Sequence, residues 1–141
     1  MKKVILWIVI ALVVVAGGIQ LVRPAVIDNN PPIVSEPTWV NPEAKALAQR
    51  ACFDCHSNET VWPWYAHIAP VSWLVAHDVE EGRSRMNFSN WNTGRQPRGG
   101  ELSEALLEGA MPPAPYLLMH PSARLSETEK QILVTEFNAF Q

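Results

Sequence analysis

The sequence predicts an all-α chain: one domain of four or five short helices behind a single apolar helix at the N-terminus. Three observations predict it. Stretches that alternate apolar and polar residues, the mark of a half-buried strand, are scarce, and valine and isoleucine crowd ahead of residue 23 instead. Helix-start and helix-stop signals recur after residue 40. Twelve prolines and seven glycines favour short helices joined by long connections. With the N-terminal segment set aside, residues 24–141 suffice for one modest core.

The N-terminal helix is read from its charge pattern. Met1-Lys2-Lys3 is basic, and the run from Val4 to Val22 is uncharged. Nineteen residues at about 1.5 Å each reach about 28 Å, close to the hydrocarbon thickness of a bilayer. Lys2 and Lys3 place that end in the cytoplasm and export the rest. Val14-Val15-Ala16, followed by Gly17-Gly18, is a small-residue site at which a signal peptide is cut. The apolar run continues past it to Val22, which favours an uncleaved anchor. The expected location is the bacterial inner membrane, single-pass, with the domain on the periplasmic side.

Three segments follow: an anchor over 1–23, a Pro-rich tether over 24–41 and a domain over 42–141. Pro24, Pro31, Pro32, Pro37 and Pro42 punctuate or bound the tether, which has little to bury and is expected to be extended. Trp39 and Val40 are its apolar exception, with two placements open: docked on the domain, or at the lipid interface.

Charge narrows the partners. Lys2, Lys3 and Arg23 are three of eleven basic residues, so eight remain beyond the anchor against all fourteen acidic ones, a formal net charge of −6. That argues against nucleic acid. A basic protein surface is compatible, although acidic surfaces are commonly just solvated.

The chemistry sits at Cys52-Phe53-Asp54-Cys55-His56, the Cys-x-x-Cys-His pattern of covalent haem attachment. Two cysteines three apart on a helical turn point to one side, so each thiol can form a thioether to one haem vinyl group. His56 then supplies the proximal nitrogen to the iron. A thioredoxin-like pair would need a βαβ context that is missing, and a zinc site would need further ligands. A plain disulfide would leave the adjacent His56 to coincidence. Cys52 and Cys55 are the only cysteines, so one haem c is expected.

The flanking elements fit. Asn41 can cap a helix with Pro42 in its first turn, running to about Cys52. Ser126 and Glu129 form a capping box, and Ile132, Leu133, Phe137 and Phe140 make one stripe of a final helix. In cytochrome c folds these two helices cross beside the haem. A helix from Glu101 to about Leu107 should end at Gly109.

Met111, in Ala110-Met111-Pro112-Pro113, resembles the distal methionine of small bacterial cytochromes c. Met119 and His120, expected in one long loop over 114–124, are its rivals, and an open position is a third possibility. Met86 reads as an apolar filler. The aromatics of Trp62-Pro63-Trp64-Tyr65 read as walls of a haem pocket. Arg83 and Arg85 either reach the haem propionates or are solvated, and Trp62 and Trp64 offer indole N–H groups for the same role. His67 and His77 read as surface or structural residues. Ser72 can cap a helix from Trp73 to about Gly82, and Ser89 a short turn.

Taken together, CFDCHSNETVWPWY (52–65), IAPVSW (68–73), DVEEGR (78–83), NFSNW (87–91) and MPPAPY (111–116), with His120-Pro121 and Leu125-Ser126, resemble the small bacterial haem-binding domain family with a Cys-x-x-Cys-His motif. The resemblance covers about residues 42–140, and His67 departs from it. It implies attachment at Cys52 and Cys55, His56 as proximal ligand and Met111 as the candidate distal ligand. The expected protein is a cytochrome c-like electron carrier, not an enzyme. Its partners would be redox proteins, such as a membrane respiratory or photosynthetic complex. A haem sensor or peroxidase-like enzyme with an open distal site, and a haem subunit of a larger membrane complex, are the alternatives.

Overall fold

The computed structural model describes residues 1–93 and 97–140. Among them the regular structure is helical: α1 Lys2–Ile19, α2 Pro42–Ala51, α3 Phe53–His56, α4 Val71–Arg85, α5 Gly99–Leu107, α6 Ala114–Met119 and α7 Glu127–Ala139. Short 3-10 turns at Trp64–His67 and Pro121–Ala123 complete it. The fold is therefore all-α, with an apolar N-terminal helix. The chain divides into two units, one of residues 1–29 and 62–78, the other of 30–61 and 79–141.

In the first unit, α1 has no buried residue. Its eighteen residues are long and apolar enough to cross a membrane, or to serve as a signal sequence. Beyond it, Gln20 and Val22 hydrogen-bond to Ala69 and Trp73.

The second unit is built on three helices. Asn41 accepts the Glu43 N–H at 2.9 Å and opens α2, with Pro42 in the first turn where its missing N–H costs nothing. Ser126 and Glu129 close the expected capping box and open α7. Helix α7 packs on both α2 and α5. The α5–α7 crossing is close: a Cβ on Gly99 would lie 1.9 Å from the Phe137 carbonyl oxygen. Leu47, Phe53, Phe88, Leu106, Leu133 and Phe137 form the centre of the core. Gly109, at φ +72°, follows α5 in the left-handed conformation that glycine adopts without penalty.

Two expectations are corrected. Helix α4 starts at Val71 and runs to Arg85, so Gly82 lies inside it rather than at its end. The stretch 114–124 contains α6 and a 3-10 turn rather than one long loop. Pro115 falls in the first turn of α6, where it interrupts no hydrogen bond. The stretch 30–41 is extended but attached. Val34 and Ser35 donate to the Ser89 carbonyl at 2.9 and 3.1 Å, and the Val40 and Asn41 N–H groups donate to the buried Glu136 carboxylate at 2.6 and 3.1 Å. Trp39 takes the docked placement, its ring 5.4 Å from Phe88 and 5.0 Å from Phe140.

Candidate functional site

The site begins where α2 ends. Cys52 caps α2 and leads directly into the single turn of α3, which carries Phe53, Asp54, Cys55 and His56. Phe53 points into the core, stacked on Phe88 at 5.1 Å, and so anchors the turn from below. Cys52 and Cys55 are both half-buried. Burial, with Cys55 nearby, pushes the Cys52 thiol up to about 12.

His56 is held by its backbone and its ring. Its carbonyl accepts the Phe88 N–H at 2.8 Å. Its Nδ1 lies 3.0 Å from the Gly82 carbonyl and 3.2 Å from the Met86 carbonyl. Both partners are acceptors, so Nδ1 carries the proton and donates, which leaves Nε2 with a free lone pair. Burial is the largest influence and lowers the ring's proton affinity, so neutral imidazole is the favoured form. A neutral imidazole fixed through Nδ1–H to a carbonyl is the arrangement that metal-ligating histidines need.

Gly82 makes this reach possible. A Cβ there would lie 2.4 Å from the Cys55 carbonyl oxygen, so any side chain would push α4 off the motif. Residues 87–89 brace the other side. Asn58 donates its backbone N–H to Ser89 Oγ at 2.9 Å, and Asn87 donates to Asn58 Oδ1 at 2.8 Å while accepting the Ser89 N–H. Ser89 thus serves a buried network rather than capping a turn. Arg83 donates to the Ser57 carbonyl at 2.8 Å, to Thr60 Oγ1 and to Asn30 Oδ1, so it braces the chain after the motif.

Asp54 and Tyr116 form a contact that no local motif announces. The Tyr116 hydroxyl donates to Asp54 Oδ2 at 2.7 Å, and Asp54 Oδ1 accepts the Val61 N–H at 2.9 Å. Burial first, then Asp54, raises the Tyr116 phenol well above its ordinary range, so it stays a donor. This bond ties α6 to the residue between the two cysteines.

Beside His56, the end of α4, α5 and α7 line a cavity of about 390 Å³. Cofactor and ligand sites typically measure roughly 300–1,000 Å³. Cys52, His56 and Met111 line it, so three of the four site residues expected from the sequence come together. The fourth, Cys55, sits in α3 with its carbonyl against Gly82. The apolar walls include Phe88, Leu102, Leu106 and Phe137, and Arg85 and Glu101 are its charged members. Phe88 and Phe137 supply its aromatic lining. Of the two arginines, Arg83 is committed to the chain, whereas Arg85 opens on the cavity and pairs with Glu81. Of the rivals to Met111, His120 stacks on Tyr116 at 4.2 Å between ring centres, and Met119 is an exposed residue at the end of α6. Among the described residues, no three His, Cys, Asp or Glu side chains converge as a multidentate metal site.

An apolar cavity with one fixed imidazole, a thioether, a thiol and a guanidinium fits a metallocofactor with a large apolar surface. Comparison with known families agrees: the haem-binding domain model matches residues 14–139, and the chain belongs to that family. It is a haem protein. No curated protein and no solved structure matches it.

Proposed function

We propose that the chain is a membrane-tethered, single-haem c-type cytochrome that passes single electrons between redox proteins and is not itself an enzyme. The observation that carries this reading is His56. Its Nδ1 is spent on the Gly82 and Met86 carbonyls, and the ring opens on an apolar cavity that Met111 also lines. Cys52 and Cys55 would hold the haem by thioethers, His56 would bind iron through Nε2, and Met111 would be the second protein ligand. When bound, haem supplies a one-electron iron couple, which Met/His ligation shifts to higher potential.

The chain's own residues would do the rest. Phe88, Leu106 and Phe137 exclude water from the macrocycle. Arg85 offers a charge to a haem carboxylate. The carbonyls of Gly82 and Met86 keep the imidazole from turning. Helix α1 would remain as an anchor in the bacterial inner membrane, with the cofactor on the periplasmic side, near respiratory or photosynthetic complexes. A peroxidase-like reading would want a distal acid–base residue. The histidine nearest to Met111 in the sequence, His120, is stacked on Tyr116.

The test is haem retention. The chain, made with haem-attachment machinery, is denatured and extracted with acidified acetone. Haem that stays with the polypeptide, and is lost to the organic phase in Cys52→Ala/Cys55→Ala, is the expected result. Full extraction from the unmutated chain overturns covalent attachment.

A further inference from the structure

Residues 62–77 follow the Cys-x-x-Cys-His motif. This stretch contains no Asp, Glu, Lys or Arg, in a chain whose exported part is acidic. It nonetheless displays large apolar side chains to solvent. Trp64 is 70% exposed, Leu74 56% and Ile68 45%, and Val71 and Trp73 are exposed as well.

Hydrogen bonds within the first unit fix where this stretch stands. The Gln20 side chain pairs twice with the Ala69 peptide: Nε2 donates to the carbonyl at 3.0 Å, and Oε1 accepts the N–H at 2.9 Å. The Trp73 indole N–H donates to the Val22 carbonyl at 2.9 Å. His67 Nδ1 lies 3.6 Å from Asp28 Oδ2. Gln20 and Val22 directly follow α1. The eighteen residues of α1 reach about 27 Å, nearly the full hydrocarbon core. A segment pinned to residues 20 and 22 must therefore stand at the depth where such a span leaves the hydrocarbon. That interfacial layer favours tryptophan and tyrosine, with an apolar ring and a polar tip. Trp73 satisfies its polar tip on Val22 and leaves ring surface exposed.

We infer that residues 62–77 are a membrane-docking segment, lying in the lipid headgroup layer at the exported end of α1. Trp64, Ile68, Val71 and Leu74 contact lipid. Electrostatic attraction to anionic lipid has no part in this, since the stretch carries no basic residue other than His67 and His77. The inference rests on the proposal that α1 is retained as a membrane span.

Photo-cross-linking in native membranes tests it. Benzoylphenylalanine is placed in turn at Ile68, at Leu74, at Val9 within α1 and at Thr135 on the exposed face of α7, in the full chain. Lipid adducts at Ile68 and Leu74, comparable in yield with those at Val9 and absent at Thr135, are expected. Protein adducts at Ile68 and Leu74 assign the surface to a partner protein and overturn the inference. No adduct at these positions, with lipid adducts at Val9, overturns it while leaving the anchor intact. Absence of lipid adducts at Val9 as well means the anchor reading has failed and the inference falls with it.

Discussion

At the scale of the residue, the site depends on a few contacts far apart in sequence. Gly82 touches the Cys55 carbonyl and offers its own carbonyl to His56. Gly82→Ala should destabilise the domain by about 1–3 kcal/mol, the usual cost of overpacking, and should lower haem content. Urea unfolding and the haem-to-protein ratio measure both. Wild-type stability in this variant would mean that α4 can shift without disturbing the motif. Tyr116→Phe removes the hydroxyl that donates to Asp54. A loss of about 1–2 kcal/mol in urea unfolding is expected, because a carboxylate loses one of its donors. Cys-x-x-Cys-His was legible in the sequence because five consecutive residues carry it. The Gly82, Asp54 and Tyr116 roles were not, because each depends on a residue at least 26 positions away.

At the scale of the element, α2 and α7 were legible because their start signals are local: Asn41 before Pro42, and Ser126 three residues before Glu129. Ser126→Ala should cost about 1 kcal/mol, the usual worth of such a cap. Gly99→Ala should cost more, since the added carbon would meet the Phe137 carbonyl at 1.9 Å and force α5 away from α7. Thermal and urea unfolding of the two variants rank them, and the reverse order would show that the crossing is loose. Two elements were misread for physical reasons. Gly82 looked like a helix end because glycine often stops helices, but here it admits a neighbouring backbone. The prolines of residues 112–115 looked like loop, but Pro115 at the start of α6 breaks no hydrogen bond. The tether held a further surprise: Trp39 and the bonds of Val34, Ser35, Val40 and Asn41 attach its end to the second unit.

At the scale of the whole molecule, an apolar N-terminal helix, a haem-binding domain and an acidic sequence after residue 23 belong to one chain. If α1 is retained, the full chain should stay with the membrane pellet after alkaline carbonate washing, and removal of residues 1–23 should release it. A shortened, soluble mature form with a new N-terminus near Gly17 would identify α1 as a cleaved signal instead. The family was legible because its motifs spread across residues 52–126, and the family match extends from residue 14 to 139. Redox partners leave no comparable signature, since an acidic surface suits many basic proteins equally.

The central claim, that His56 and Met111 ligate the haem iron, is tested most directly by the visible spectrum of the reduced full chain with and without carbon monoxide, beside Met111→Ala. The account expects a low-spin c-type spectrum unchanged by the gas, and a variant that binds it readily. A high-spin spectrum, or carbon monoxide binding by the unmutated chain, would contradict the Met111 assignment and put an open, ligand-sensing or peroxidase-like haem in its place.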